Sequence, residues 1–389
     1  MEASNPFTPT FGTAPPVLAG RSGVLGRISA AMDSGPRHPD YTLVVTGRRG
    51  TGKTVLLDVA TREATSKGWA VVQVAGSDGP NLAGNVMLRV HELERPSSWA
   101  TTAPGFASEA SQLATGRHGR PVALPHAGDL RSVITDLADQ ASAHGAGVML
   151  TIDEMQASTA EALRPVASIL QHVTRREERP LMFVGCGLTD IARTLMSDPG
   201  MTFFHRCARA ETSSLSDDEA RYALREPFAA AGVVMADAAL EAGIEAAVGY
   251  PFMIQHIGYA AWERAADLRV GVSATDMSAA ISAANDAMVQ QLVEPVWVGL
   301  SAKDRAFALA MCALGGTVDV QALAARLGWT ANTVNAYRRR ALDAGMVLPA
   351  GRGRLRFAHQ AFELHARTEL ALIEPSRDAE PEGDTPSTA

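Results

Sequence analysis

Residues 47–54 read GRRGTGKT. No other stretch of this chain restricts its fold as sharply. The preceding YTLVV, Tyr41 to Val45, is apolar and largely β-branched, as in a buried strand. The following VLLDVATREA, Val55 to Ala64, has helical spacing. Strand, glycine-rich loop and helix in that order predict a phosphate-binding loop. Gly47, Gly50 and Gly52 let the loop turn tightly. The backbone of Arg48, Arg49, Thr51 and Val55 would then face phosphate oxygens, with the positive end of the helix dipole behind them. Lys53 would place its charge on the β- and γ-phosphates, and the Thr54 hydroxyl would ligate Mg²⁺. The chain has only three lysines against 32 arginines, and one of them stands between Gly52 and Thr54.

A length of 389 residues predicts two to three domains, and 46% apolar content is enough to build cores. The net charge of −7 excludes a wholly basic nucleic-acid coat but leaves room for local positive patches. Cys186, Cys207 and Cys312 lie far apart, without metal or disulfide spacing, which fits a reducing, cytoplasmic setting. No run of about 18 uncharged apolar residues predicts a membrane span. The first residues show neither a basic nor an apolar leader segment, so no signal peptide is expected.

Along the chain, 1–19 reads as an extended segment rich in Pro, Thr and Gly, and 20–32 as a short helix. Strands are predicted at 41–45, 70–76, 147–156 and 181–187, with helices at 128–145 and 160–176 between them. This alternation gives the fold class: α/β, a parallel sheet flanked by helices on both faces, over residues 20–212. Residues 77–127 carry many turn formers and read as a loop-rich insertion. Residues 213–299 are expected to be an all-α lid and linker, starting with a helix capped by Ser216. Residues 300–372 form a further unit, and 373–389 an acidic tail expected to be disordered.

The strand VMLTIDE delivers two acids, Asp153 and Glu154, at its C-terminal end, where open α/β sheets bind ligands. Asp153 would hold Mg²⁺, directly or through water, and Glu154 would polarise the water that attacks a γ-phosphate.

These residues carry a family resemblance. GRRGTGKT, LTIDE, LMFVGCG and FFHR, followed by helices, are similar in order and spacing to the AAA+ ATPases. Among these the chain most resembles the origin-recognition-type branch of archaea and bacteria, over roughly residues 5–370. The resemblance implies Arg21 and the preceding VLAG close to the adenine base. It places Cys186 to Thr189 at the sensor-1 position, a role that falls to Thr189 or is lost, since Cys186 is a poor hydrogen-bonder. Arg206 stands where an arginine finger would reach a neighbour's γ-phosphate; an ordinary surface arginine is the alternative. The family's sensor-2 arginine is missing, and GYPFMIQ (249–255) takes its place. That stretch resembles the lid motif of STAND ATPases, in which Pro251 would pack by the nucleotide. A proline at a helix start is also unremarkable in itself.

Toward the C-terminus, three helices (303–316, 319–328 and 330–347) and a hairpin over 347–358 follow the order of a winged helix-turn-helix. Leu323, Leu327, Val334 and Leu342 are its predicted inner face. Residues 301–372 hold ten basic side chains and five acids, a local surplus of five positive charges on an acidic chain. The helix from 330 would enter duplex DNA, with Thr330, Asn332 and Asn335 at base edges and Arg338 and Arg339 on phosphates. Arg352 and Arg354 in the wing would reach the backbone or a minor groove. Protein contacts are the competing use of such a surface.

The expected function is that of an ATPase in which binding and slow hydrolysis of Mg²⁺-ATP control a DNA-binding winged helix, with homo-oligomerisation on ATP or DNA. The alternative is a STAND-like signalling switch whose winged helix contacts protein. A helper ATPase of transposition or phage origin is a variant of the first reading.

Overall fold

The structure is a computed structural model, and it describes residues 4–10, 12–93, 127–189, 191, 199–265 and 267–373. The chain divides into two compact units, Met1–Val233 with Gly249–Gln255, and Val234–Val248 with His256–Ala389. Among the described residues no helix is long and apolar enough to cross a membrane.

In the first unit the elements run α1 (Ser22–Ser34), β1 (Thr42–Gly47), α2 (Lys53–Ser66), β2 (Ala70–Ala75), α3 (Leu82–Glu92) and α4 (Ala127–Ala143). They continue with β3 (Val148–Asp153), α5 (Ala160–Leu170), β4 (Leu181–Gly187), β5 (Ala208–Thr212) and α6 (Asp217–Ala230). The five strands form one sheet in the order β2-β3-β4-β1-β5, and every pairing is parallel. This is the fold of the P-loop nucleoside triphosphatases.

A parallel sheet covered on both faces needs strands that are apolar on both sides, and the three central strands β3, β4 and β1 are nearly so, whereas the edge strands β2 and β5 expose Gln73, Arg209 and Glu211. On β4, Met182, Val184 and Cys186 face α1 and α2, packing with Ile28, Met32, Leu56 and Ala60. Leu181 and Phe183 face the other way, among residues of α3, α4 and α5 such as Val86, Ile134 and Val166. The rings of Phe183, Phe203 and Phe204 cluster with centroids 5.3 to 6.1 Å apart. Emptying the wholly buried Phe183 site by an alanine substitution would cost about 3–5 kcal/mol.

Departures from the sequence reading concern α3, the end of α5, the strand Val318–Asp319 and the last helix. The stretch read as an insertion from residue 77 contains α3, whose Leu82, Val86, Met87 and Val90 join the core. The remainder of that insertion, 94–126, and the tail from 374 lie outside the described residues. The helix read as 160–176 is α-helical only to Leu170 and continues as a π-turn over Gln171–Arg176. Pro165 lies inside the helix and removes one of its backbone hydrogen bonds without ending it.

The second unit contains α7 (Asp237–Ala247), part of α8 (Pro251–Arg264), α9 (Ala274–Met288), α10 (Ala302–Leu314), α11 (Val320–Leu327), α12 (Ala331–Asp343) and α13 (Gln360–Ile373). A three-stranded antiparallel sheet, β6 (Val318–Asp319), β8 (Arg354–Phe357) and β7 (Val347–Pro349), completes it. Strand β6 and helix α13 were not read from the sequence. Leu323 and Val334 are buried as expected, whereas Leu327 and Leu342 are half-buried. Met346, Leu355 and Phe357 are buried as well, as are Phe307, Met311 and Phe362.

Candidate nucleotide site

Strand β1 ends at Gly47, and α2 begins at Lys53. Between them Gly50 and Gly52 adopt positive φ, +71° and +82°, where side chains are disfavoured. Gly47 has no room for a side chain, since a Cβ there would lie 2.0 Å from the Thr212 hydroxyl of β5. Thr51 is buried. Its hydroxyl donates to the Arg48 carbonyl at 2.8 Å and lies 2.8 Å from the Thr212 hydroxyl. The loop is therefore braced from inside by residues whose side chains a phosphate would not need.

Lys53 is 95% buried, and its ammonium donates to the Arg48 carbonyl at 2.8 Å. Burial pushes its pKa below the ordinary lysine value, while Glu154 and Asp153 hold part of it back. An ammonium held at the mouth of a loop of backbone amides is a receptor for negative charge.

Arg21 also reaches this loop. Its guanidinium donates to the carbonyls of Thr51 and Ser213, both at 2.9 Å, and it is almost wholly buried. Burial lowers its pKa, and Glu219 opposes that. The side chain thus buttresses the loop from behind. Arg48 donates to the Ser214 hydroxyl at 2.7 Å, and Arg49 is exposed.

Strand β3 brings its acids to the same edge. The Thr54 hydroxyl donates to a carboxylate oxygen of Asp153 at 2.7 Å, across 99 residues of sequence. Two hard oxygen ligands meeting in this way fit Mg²⁺, which takes one or two protein ligands and fills its octahedron with phosphate oxygens and water. Among the described residues no group of three or more His, Cys, Asp or Glu could hold a metal without such help. Glu154 follows in the left-handed region, φ +48°, and opens a 3₁₀ turn over Met155–Ala157. For a residue with a side chain this is an unusual backbone state, and such states concentrate at functional sites.

Two residues at this edge were missed in the sequence. Gln156 donates a hydrogen bond to the Glu154 carboxylate, and its own oxygen accepts from the Leu188 amide at 2.9 Å, just past β4. Tyr250 is buried and donates to the Arg49 carbonyl at 2.7 Å, with its hydroxyl directly over Gly50. It precedes Pro251, which is the first residue of α8. Neither had a local signal, since each is marked out by a contact distant in sequence, Gln156 with Leu188 and Tyr250 with Arg49.

Cys186 is buried, with its sulfur 3.9 Å from the Lys53 carbonyl, and burial pushes its thiol pKa well up. Thr189 is exposed. The polar group lying against the end of β4 is Gln156. Arg206 is exposed between the short helix Thr202–His205 and β5.

In the second unit Asn332, Asn335 and Arg339 are exposed on α12, and Arg338 is half-buried. Thr330 caps the helix, accepting from the Thr333 amide at 3.3 Å. Arg352 and Arg354 are exposed at the β7–β8 turn. Arg340 points back into the unit and grips the buried Asp304 with two hydrogen bonds, at 2.6 and 2.8 Å.

Among known proteins, the family described as "AAA ATPase domain" matches residues 17–184. Residues 290–365 match a domain of unknown function, DUF8462. No curated protein gives a significant match. The chain is similar in structure to a Walker-type ATPase of Pyrococcus abyssi, with 12% identity, 90% of this chain and 96% of that one covered, and a TM-score of 0.63. It is also similar to the ORC2 protein of Aeropyrum pernix in ADPNP and ADP complexes, with 15% identity, 93% and 98% covered, and a TM-score of 0.61. The ADP form of that protein gives 14% identity, 95% and 98% covered, and a TM-score of 0.54. At such identities the likeness is one of fold. Residues 17–184 are therefore similar to an AAA ATPase domain, and the chain has a P-loop triphosphatase fold.

Proposed function

We propose that this protein is an ATPase that uses Mg²⁺-ATP binding and slow hydrolysis to control a DNA-binding winged helix. The observation that carries the reading is the meeting of Thr54 and Asp153 at 2.7 Å, beside the buried ammonium of Lys53 and next to Glu154. A hydroxyl, two carboxylates and an ammonium at the mouth of a glycine loop are the parts that phosphoryl transfer to water requires.

In this reading the amides of residues 47–55 and Lys53 cradle the phosphates, and Thr54 and Asp153 hold Mg²⁺. The metal would draw charge from the β- and γ-phosphate oxygens. Glu154 accepts a proton from the attacking water. The water oxygen bonds to the γ-phosphorus as the bond to the bridging oxygen breaks, and ADP and phosphate leave. Arg206, exposed and on the same unit, would serve a neighbouring copy in a homo-oligomer. The domains would be the core over 20–212, the lid over 213–299 and the winged helix over 300–372. Duplex DNA is the proposed partner of the last of these, because it carries the surplus of arginine. The ORC2 likeness, which is to a protein of that name solved with nucleotides, supports the nucleotide half of the reading.

Titration with a fluorescent ATP analogue, with Mg²⁺ present, tests the first half. Lys53→Ala should abolish binding while leaving the fold intact. Turnover of Glu154→Gln tests the second half; a general base contributes about 10²- to 10⁴-fold, and a loss of that order is expected with affinity retained. A wild-type rate in Glu154→Gln would remove its assigned role.

One observation favours a second reading, a STAND-like switch that holds nucleotide and contacts protein. Tyr250 and Pro251 stand where a sensor-2 arginine is expected, and Tyr250 touches the phosphate loop. Absence of DNA binding at low salt, with nucleotide retained through purification, would select it.

A further inference from the structure

We propose that Gln156 is a positioning residue for hydrolysis: its side-chain amide aims the Glu154 carboxylate at the attacking water and ties that carboxylate to the end of β4. The inference rests on the ATPase reading above and names a further residue of that same site.

The geometry is that of a two-ended bridge. The Gln156 NH₂ group donates to an oxygen of Glu154, and its carbonyl oxygen accepts from the Leu188 amide at 2.9 Å. Only a primary amide offers a donor at one end and an acceptor at the other over this span; a carboxylate offers acceptors alone. The turn that presents Glu154 is pinned on its other side as well. The Ser158 hydroxyl donates to the Gly76 carbonyl at 3.1 Å, just past β2, and a Cβ on Gly76 would come within 2.4 Å of the Glu154 carbonyl. At the β4 end, a Cβ on Gly187 would lie 3.2 Å from the Gln156 oxygen, so the strand leaves space for the amide.

The backbone of Glu154 is therefore fixed between β2 and β4, and one carboxylate oxygen is occupied by Gln156. The second oxygen is left to accept the water proton. A carboxylate free to rotate would spend much of its time misdirected, and misplacement of about 1 Å costs on the order of 100-fold in rate. The bridge also transmits position. The peptide at Leu188 follows the strand beside the P-loop strand, so a shift at the end of β4 moves the amide that aims the base.

The test uses the full-length protein and three variants. In Gln156→Ala, kcat should fall roughly 10- to 100-fold, while ATP affinity by direct titration and the melting temperature stay near wild type. Gln156→Glu keeps the shape and removes the donor, and it sets a second carboxylate against Glu154. Its kcat should fall at least as far as that of Gln156→Ala, with ATP affinity retained. A residue that merely fills space would be rescued by this isosteric change and would not split kcat from affinity. Glu154→Gln separates the two levels of the argument. If it is inactive while both Gln156 variants turn over within twofold of wild type, the positioning role is overturned and the ATPase reading stands. If Glu154→Gln turns over normally, both fall. If Gln156→Ala does not fold, the isosteric Gln156→Glu decides: a fall in kcat of about tenfold or more at retained ATP affinity supports the role, and turnover within twofold of wild type overturns it.

Discussion

The Tyr250 hydroxyl donates to the Arg49 carbonyl at 2.7 Å, joining positions 201 residues apart and pinning the tip of the phosphate loop. A carbonyl held outward leaves the adjacent amides free to turn toward an anion. Tyr250→Phe removes one hydrogen bond of about 1 kcal/mol and little else. The expected outcome is a roughly five-fold weaker ATP affinity by calorimetric titration, with the melting temperature almost unchanged. Unaltered affinity would make Tyr250 a packing residue only.

Gly50 lies directly beneath the same phenol. A methyl group there would approach the Tyr250 oxygen to 2.0 Å, at a φ of +71°. Gly50→Ala should therefore abolish nucleotide binding, and the left-handed backbone alone should cost about 1–2 kcal/mol of stability. Denaturant midpoints and nucleotide titration on the same sample would measure the two effects separately. Gly50→Ala with Tyr250→Ala removes the collision but not the backbone cost, so it should recover part of the binding.

DNA binding should be steeply salt-dependent, because the exposed arginines of α12 and the β7–β8 turn would displace counterions from phosphates. Replacing Arg339, Arg352 and Arg354 with Ala should flatten the plot of log affinity against log salt by about 0.9 for each phosphate left without its arginine. Asn332→Ala and Asn335→Ala should leave that slope intact and alter sequence preference. Fluorescence anisotropy with duplexes of differing sequence distinguishes these outcomes. Equal slopes in the triple variant and wild type would exclude a phosphate role for these arginines.

The Asp304–Arg340 pair makes a pH-dependent contribution to the second unit. Burial alone would raise the Asp304 pKa, but hydrogen bonds from Ser301 and Arg340 hold it below the ordinary 3.8. A carboxyl with a depressed folded-state pKa stabilises the protein above its unfolded value and loses that contribution as pH falls through the folded one. The melting temperature of wild type should exceed that of Asp304→Asn from pH 5 to 7, and the gap should close below about pH 3.8. A gap independent of pH would show that the carboxylate's charge contributes nothing.

Much of the fold and part of the site were legible in the sequence, and the division has a physical basis. The phosphate loop is eight consecutive residues whose geometry follows from glycine and a following helix, so it declares itself locally. Asp153 and Glu154 are adjacent at the end of an apolar run. Gln156 and Tyr250 matter because of what folding brings against them, Leu188 across 32 residues and Arg49 across 201, and no local pattern records that. Helix α3 had a start signal that was overlooked, Asn81 accepting from the Gly84 amide at 2.9 Å, followed by apolar residues at helical spacing. Helix α13 had no ordinary cap. It starts at Gln360, and the ring nitrogen of the preceding His359 accepts from the Ala361 amide at 3.0 Å; histidine is not among the usual capping residues.

Glu154 keeps a side chain in a backbone state where glycine would be more comfortable by about 1 kcal/mol. Comfort and chemistry are therefore opposed at one position. A screen that rewarded only heat resistance would be drawn to glycine there, and it would return a sturdier molecule deprived of the carboxylate proposed as its proton acceptor.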